Sequence, residues 1–151
     1  MTRKNRRRQR PKSSSGRSLN SVSYVNDVGV KIKDERLRNI KKISEENFIK
    51  KYDKVNVLIS IGENYTRQKI FQKFAHKKFI FPNIVHDSVI LDKNVKLGIG
   101  NIIMPNTIVN ANSEIGNFCI LNTSSIIEHD CLLDSYVSLS PGSIICGNSK
   151  I

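Results

Sequence analysis

No run of apolar residues in this 151-residue chain reaches the roughly 18 needed to cross a bilayer, and its start lacks the apolar core of a secretory signal. The expectation is a soluble, cytoplasmic protein with no membrane span. Cysteine is scarce: Cys119, Cys131 and Cys146 form no CxxC pair, which argues against both a disulfide framework and a zinc knuckle, so no metal is expected. Acidic residues are missing from the first 18 positions, where Arg3, Lys4, Arg6, Arg7, Arg8, Arg10, Lys12 and Arg17 supply +8 of the formal +12. That stretch also has no aliphatic or aromatic side chain between Met1 and Leu19, hence nothing to bury against the entropy of ordering. Residues 1–22 read as a disordered basic tail. With no aromatic interleaved among its cations to stack on bases, the tail predicts no specific nucleic-acid partner.

Residues 23–82 read as a partial α/β segment of Rossmann-like character. Ser44 followed by Glu45 and Glu46 is a helix start, with Glu46 to Lys51 as its body. The run Val55-Asn-Val-Leu-Ile-Ser-Ile61 reads as a buried strand ending at Gly62, and a helix over 64–77 comes next with Ile70, Phe71 and Phe74 on one face.

From Val85 the pattern changes. Every sixth residue is aliphatic: Val85, Leu91, Leu97, Ile103, Val109, Ile115, Leu121, Ile127, Leu133, Leu139, Ile145 and Ile151. A period of six belongs neither to a helix nor to a plain strand, but a coil of three short strands and three turns produces it. Two places before each aliphatic residue stand mostly small or β-branched ones, among them Thr107, Ser113, Cys119, Ser125 and Cys131, which suit an inward site near a narrow corner. One place earlier come Asn94, Gly100, Asn106, Asn112, Gly142 and Asn148, types that tolerate left-handed backbone. Three hexads make an 18-residue coil, so residues 18 apart stack at about the 4.8 Å strand spacing. Residues 83–151 therefore predict a mainly β fold, a left-handed parallel β-helix of hexapeptide repeats. Cys119 and Cys131 fall at its small inward position and Cys146 at the surface. Stacking also sets Gly147 one coil above His129, where its N–H could hold a developing oxyanion.

The string Ile120-Leu-Asn-Thr-Ser-Ser-Ile-Ile-Glu-His-Asp-Cys131, followed by Leu139-Ser-Pro-Gly-Ser-Ile-Ile-Cys-Gly-Asn148, resembles the hexapeptide-repeat acetyltransferases that act on sialic acid or nucleotide-linked amino sugars. Val57 to Asn64 and Phe81 to His86 resemble the end of that family's sugar-nucleotide domain and its joint to the β-helix. The resemblance implies an acetyl-CoA-dependent acyltransferase, a nucleotide-sugar or sialic acid acceptor, and a homotrimer with sites between neighbouring β-helices. By the same resemblance His129 is the catalytic base and Asp130 orients its ring. Asn122 and Glu128 contact the acceptor, while Ser138, where many members carry His, and Gly147 contact acetyl-CoA. An imidazole with an ordinary pKa near 6.5 accepts protons at neutral pH, and a neighbouring carboxylate fixes its tautomer. As surface readings, His129 is a turn histidine and Asp130 and Asn122 are corner residues satisfying turn backbone. The family's Gly-rich loop has no counterpart before residue 55 and its further coils none after Ile151. The alternative expectation is accordingly a truncated, inactive fragment or a non-catalytic partner subunit.

A zinc-dependent β-helix anhydrase is disfavoured, since the repeats hold only His86 and His129, whose separation is not a multiple of the coil length. An ice-binding solenoid would need a threonine ladder, yet the repeats carry only Thr107 and Thr123.

Overall fold

A computed structural model of the chain describes residues 43–151. The expected tail at 1–22 and the first third of the 23–82 segment lie outside the described residues. The described residues form two short helices packed on one corner of a parallel β-helix.

The first helix, α1 (Glu45–Lys51), begins as the sequence predicts: the Ser44 hydroxyl caps it by accepting from the Asn47 N–H, Glu45 and Glu46 fill its first turn and Lys50 and Lys51 its last. Both ends thus oppose the helix dipole with the favourable sign. The second, α2 (Asn64–Phe74), is capped by Glu63, whose carboxylate accepts from the N–H groups of Tyr65 at 3.0 Å and Thr66 at 2.6 Å. Bonding with Thr66 and then Tyr65 holds that carboxyl below its ordinary pKa. Ile70 and Phe74 are buried on the predicted face, and with Phe48, Val57, Ile59, Phe79, Phe81 and Phe118 they form an aromatic-rich core.

The expected strand over 55–61 is not formed. Its β-structure reduces to one parallel bridge, Asn56 with Ile80, although Val57 and Ile59 are buried as a strand's inward residues would be. An apolar run becomes a strand only where a neighbour supplies a continuous ladder, and among the described residues Ile80 supplies a single rung.

From Ile84 onward eleven two-residue strands recur at hexad spacing: β1 (Ile84–Val85), β2 (Ile90–Leu91), β3 (Lys96–Leu97), β4 (Ile102–Ile103), β5 (Ile108–Val109), β6 (Glu114–Ile115), β7 (Ile120–Leu121), β8 (Ile126–Ile127), β9 (Leu132–Leu133), β10 (Ser138–Leu139) and β11 (Ile144–Ile145). They stack into three parallel faces: the first holds β1, β4, β7 and β10, the second β2, β5, β8 and β11, the third β3, β6 and β9. Every pairing joins residues 18 apart, such as Ile108 with Ile126 and Leu97 with Ile115. The hexad aliphatics fill the interior, with Ile103, Val109, Ile115, Leu121, Ile127 and Leu133 essentially inaccessible. Cys119 and Cys131 are buried in that core and Cys146 is exposed, as the spacing predicts. Burial pushes the Cys119 thiol pKa up, which favours the unreactive protonated form. The first-coil residues Val85 and Leu91 occupy inward positions but stay 39% and 38% exposed, because no coil underlies them among the described residues.

All six Asn and Gly corners adopt positive φ, and so do Phe118, Ser124, Asp130 and Tyr136 at the same register. Repeat geometry imposes the left-handed turn even on side chains that resist it.

The helices join the β-helix where the third face turns into the first, the corner of Gly100, Phe118 and Tyr136. Phe118 stacks on Tyr136 with centroids 5.7 Å apart and planes 8° off parallel, and Phe71 and Phe81 close on the Phe118 ring at 4.4 and 5.3 Å. Gly100 lacks the Cβ that would collide with Phe118. Across the joint lies Arg67, fully buried and bonded to neutral oxygens. Its Nε donates to Phe118 O at 2.7 Å, Nη1 to Ile61 O at 2.7 Å and Gly62 O at 3.1 Å, and Nη2 to Tyr136 O at 2.7 Å, Asn64 Oδ1 at 2.9 Å and Ser138 Oγ at 3.1 Å. Burial lowers its pKa from the ordinary guanidinium value, and this set of acceptors offsets much of the cost of burying the charge.

Candidate active site

Where the second face turns into the third, the corner column is Asn94, Asn112, Asp130 and Asn148, all with positive φ. His129 precedes Asp130 on this turn, and its Nδ1 lies 2.7 Å from Asp130 Oδ2. Hydrogen bonds from His129 and then from Asn112 hold the Asp130 carboxyl below its ordinary range, so it is ionised and acts only as an acceptor. An ionised carboxylate can only accept, so Nδ1 is the donor in this contact and Nε2 is the ring nitrogen it leaves free. Both side chains are accessible, at 64% and 51%.

Gly147 stands one coil above, as the stacking predicts. A Cβ there would lie 2.9 Å from His129 Nε2 and 3.0 Å from Cε1, so the ring rests against bare backbone that only glycine offers. The Asn148 N–H donates to His129 O at 2.9 Å and anchors the turn from above. Below, Asn110 Nδ2 donates to Glu128 Oε2 at 2.9 Å and Asn112 Nδ2 to Asp130 Oδ1 at 3.2 Å. The structure thus brings together Glu128, His129, Asp130 and Gly147 of the residues singled out from sequence. It adds Asn110 beneath Glu128. The 18-residue period applied backwards from 128 points to that position, but amide side chains at turns read first as corner residues.

Two other candidates lie elsewhere on the prism. Asn122 comes directly after β7 at the corner between the first and second faces, where its Nδ2 donates to Leu139 O at 2.9 Å. Ser138 lies on the first face beside the helical joint, donating to Asn64 Oδ1 at 2.7 Å and accepting from Arg67. Neither meets His129 within one chain. Among the described residues no group of three or more His, Cys, Asp or Glu is placed to hold a metal ion. No helix among them is long and apolar enough to cross a membrane.

No family model matches the chain. It is 26% identical over 124 residues to GDP-perosamine N-acetyltransferase of Escherichia coli O157:H7, covering 81% of this chain and 54% of that protein. Its fold superposes with a TM-score of 0.66 and 27% identity on a His-to-Ala mutant of the GDP-perosamine N-acetyltransferase from Caulobacter crescentus, solved in complex with CoA and GDP-perosamine; 74% of this chain and 53% of that one are covered. The acetyltransferase domain of PglB from Neisseria gonorrhoeae FA1090, solved also in complex with acetyl coenzyme A, superposes with TM-scores of 0.63 and 0.62 at 29% identity, covering 72% of this chain and 50% of that one. WeeI from Acinetobacter baumannii AYE gives 0.66 at 26% identity, with 82% and 57% covered. The chain spans about half the length of these homologues. Their shared architecture is the β-solenoid that the hexads predict.

Proposed function

We propose that this chain carries the acetyl-transfer centre of a nucleotide-linked amino-sugar N-acetyltransferase, with acetyl-CoA as donor and His129 as general base. The observation that carries the reading is the His129 ring itself, tied through Nδ1 to an ionised Asp130 and laid against Gly147 with Nε2 left without a partner among the described residues. In the reaction Nε2 takes a proton from the acceptor amine as the nitrogen attacks the thioester carbonyl. A C–N bond forms, the carbonyl oxygen gains charge that a backbone N–H such as that of Gly147 can receive, and the C–S bond breaks as the leaving sulfur takes the proton from the imidazolium and departs as the coenzyme thiol. Asp130 holds the ring and balances the imidazolium that forms. The homologues' names favour an amino-sugar nucleotide over sialic acid and N- over O-acetylation.

A cyclic trimer is part of the same proposal. Outward positions of the first face include Ile84, Ile102 and Ile120, and those of the second are Ile90, Ile108, Ile126 and Ile144, with Ile90 58% and Ile144 63% exposed. The outward row of the third face instead runs Lys96, Glu114, Leu132 and Lys150, with Lys96 and Glu114 in an ion pair at 2.5 Å. Two apolar faces and one charged face suit a ring in which each prism buries two sides. Asn122 and Ser138, remote from their own chain's His129, would then reach the site from a neighbour. Free, unpaired cysteines agree with a cytoplasmic location.

The test is thiol release from acetyl-CoA by the purified chain with GDP-perosamine as acceptor. His129→Ala should lower kcat about a thousandfold, the scale of a lost general base. Equal release by the variant and the parent would sink the assignment.

A further inference from the structure

Asp130 differs from the other corner residues in having both carboxylate oxygens engaged, one by His129 and one by Asn112. Asn112 is itself oriented from below, because Asn94 Nδ2 donates to its Oδ1 at 3.4 Å. The Asp130 carboxylate, which can only accept, sets the NH2 of Asn112 upward and leaves its oxygen to meet Asn94 Nδ2 from beneath. The corner column is thus a directed chain of donors, Asn94 to Asn112 to Asp130, ending at the imidazole. We propose that Asn112 is a positioning residue for acetyl transfer, pinning the Asp130 carboxylate so that the His129 proton stays on Nδ1 and the lone pair on Nε2.

The physical reason lies in the freedom of a carboxylate. Held by one oxygen alone, Asp130 can rotate about χ2 and exchange its oxygens, and the imidazole can follow or change tautomer. Bonded at both, it is fixed, as partners beyond the reacting groups commonly fix a histidine elsewhere. The column at the corner between the first and second faces holds Ser88, Asn106, Ser124 and Gly142, and that between the third and first holds Gly100, Phe118 and Tyr136; among the described residues Ser88 Oγ accepts from the Asn106 backbone N–H, and no chain of side-chain bonds forms along either column. Titratable groups around His129 are Glu128 and Asp130 on its own turn, Cys146 on the turn above, and Asp92 and Lys93 two turns below; the turn directly beneath contributes Asn110, Ala111 and Asn112. Since that turn carries no charge, Asn112 acts on Asp130 by donation and geometry.

This inference rests on the acetyl-transfer reading, but its first readout needs no substrate. In the full chain, Asn112→Gly removes the amide while keeping a backbone already tolerated at this register, where Gly100 and Gly142 have φ of 69° and 70°. Nitrogen-15 NMR of His129 should show the Nδ1–H tautomer losing population, and carbon-13 NMR the Asp130 carboxyl pKa moving up toward its ordinary value. Turnover should fall about tenfold in kcat with KM within about twofold, as for loss of an outer hydrogen bond to a reacting group. Asn112→Asp sets a carboxylate under Asp130 and should move that pKa further and lower kcat more. Asn106→Gly, the same backbone change at a remote corner, should leave all three measurements alone. Unchanged tautomer and carboxyl titration in Asn112→Gly would overturn the assignment whatever the turnover, as would a loss of melting temperature and KM without either NMR change. Acetyl transfer missing from the parent chain would instead remove the proposed function, and the NMR arm would still decide the role of Asn112.

Discussion

Two corners of the same prism share one backbone turn and one hexad register, yet they are built from opposite materials. The corner between the third and first faces carries Phe118 and Tyr136 in left-handed conformation, roofed by Phe71, Phe81 and the buried Arg67. The corner between the second and third faces carries Asn94, Asn112, Asp130 and Asn148, open to solvent, with His129 alongside. Positive φ costs a bulky residue on the order of 1 kcal/mol, and at the aromatic corner ring packing and guanidinium bonds to the Phe118 and Tyr136 carbonyls offset it. At the polar corner Asn and Asp take the conformation at little cost, and their side chains remain free to bond one another. The repeat thus uses one corner to fasten the helices and leaves the other available for chemistry.

The sharpest way to break this contrast is to remove the fastener. Arg67→Met deletes every bond to the carbonyls of Ile61, Gly62, Phe118 and Tyr136 while roughly keeping volume, and should cost about 3 kcal/mol of stability, since several buried acceptors lose their donor at once. Denaturant unfolding measures it; a loss below about 1 kcal/mol would show that the aromatic stack suffices. Next, Gly147→Ala sets a methyl 2.9 Å from His129 Nε2, so the ring must swing away. We expect kcat to drop about a hundredfold with the melting temperature nearly unchanged, consistent with the sensitivity of catalysis to small displacements. A stability loss comparable to that of Arg67→Met would mean that the polar corner also carries load. The smallest effect belongs to the remaining corner, where Ser124 has φ of 59° and its N–H donates to Pro105 O. Ser124→Gly relieves that conformation and should change stability by less than about 1 kcal/mol, favourably if strain outweighs chain entropy; calorimetry gives the sign.

Much of the fold is legible without coordinates. The sixfold aliphatic spacing carries the solenoid, its three faces and the 18-residue register, and register alone sets Gly147 over His129. The helix starts at Ser44 and near Asn64 come from caps and apolar spacing. Val55 to Ile61 reads as a strand and is not one, because an apolar run of that length states burial, which holds for Val57 and Ile59, without stating whether a neighbouring ladder exists. Arg67 gives no signal at all. A lone arginine within a helix reads as surface, and the partners that bury it from the β-helix lie 51 to 71 residues away. Ser138 reads toward acetyl-CoA by resemblance, whereas within the chain its hydroxyl joins Asn64 and Arg67 at the helical joint.

Local periodicity by itself determined the coil, because an inward aliphatic every six residues and a turn between each pair leave the backbone one repeating path to close. Which corner became a fastening and which a reactive edge was decided only in three dimensions. The difference depends on where α1 and α2 settle, and on side chains one full coil apart that touch across a strand spacing with no closeness in sequence.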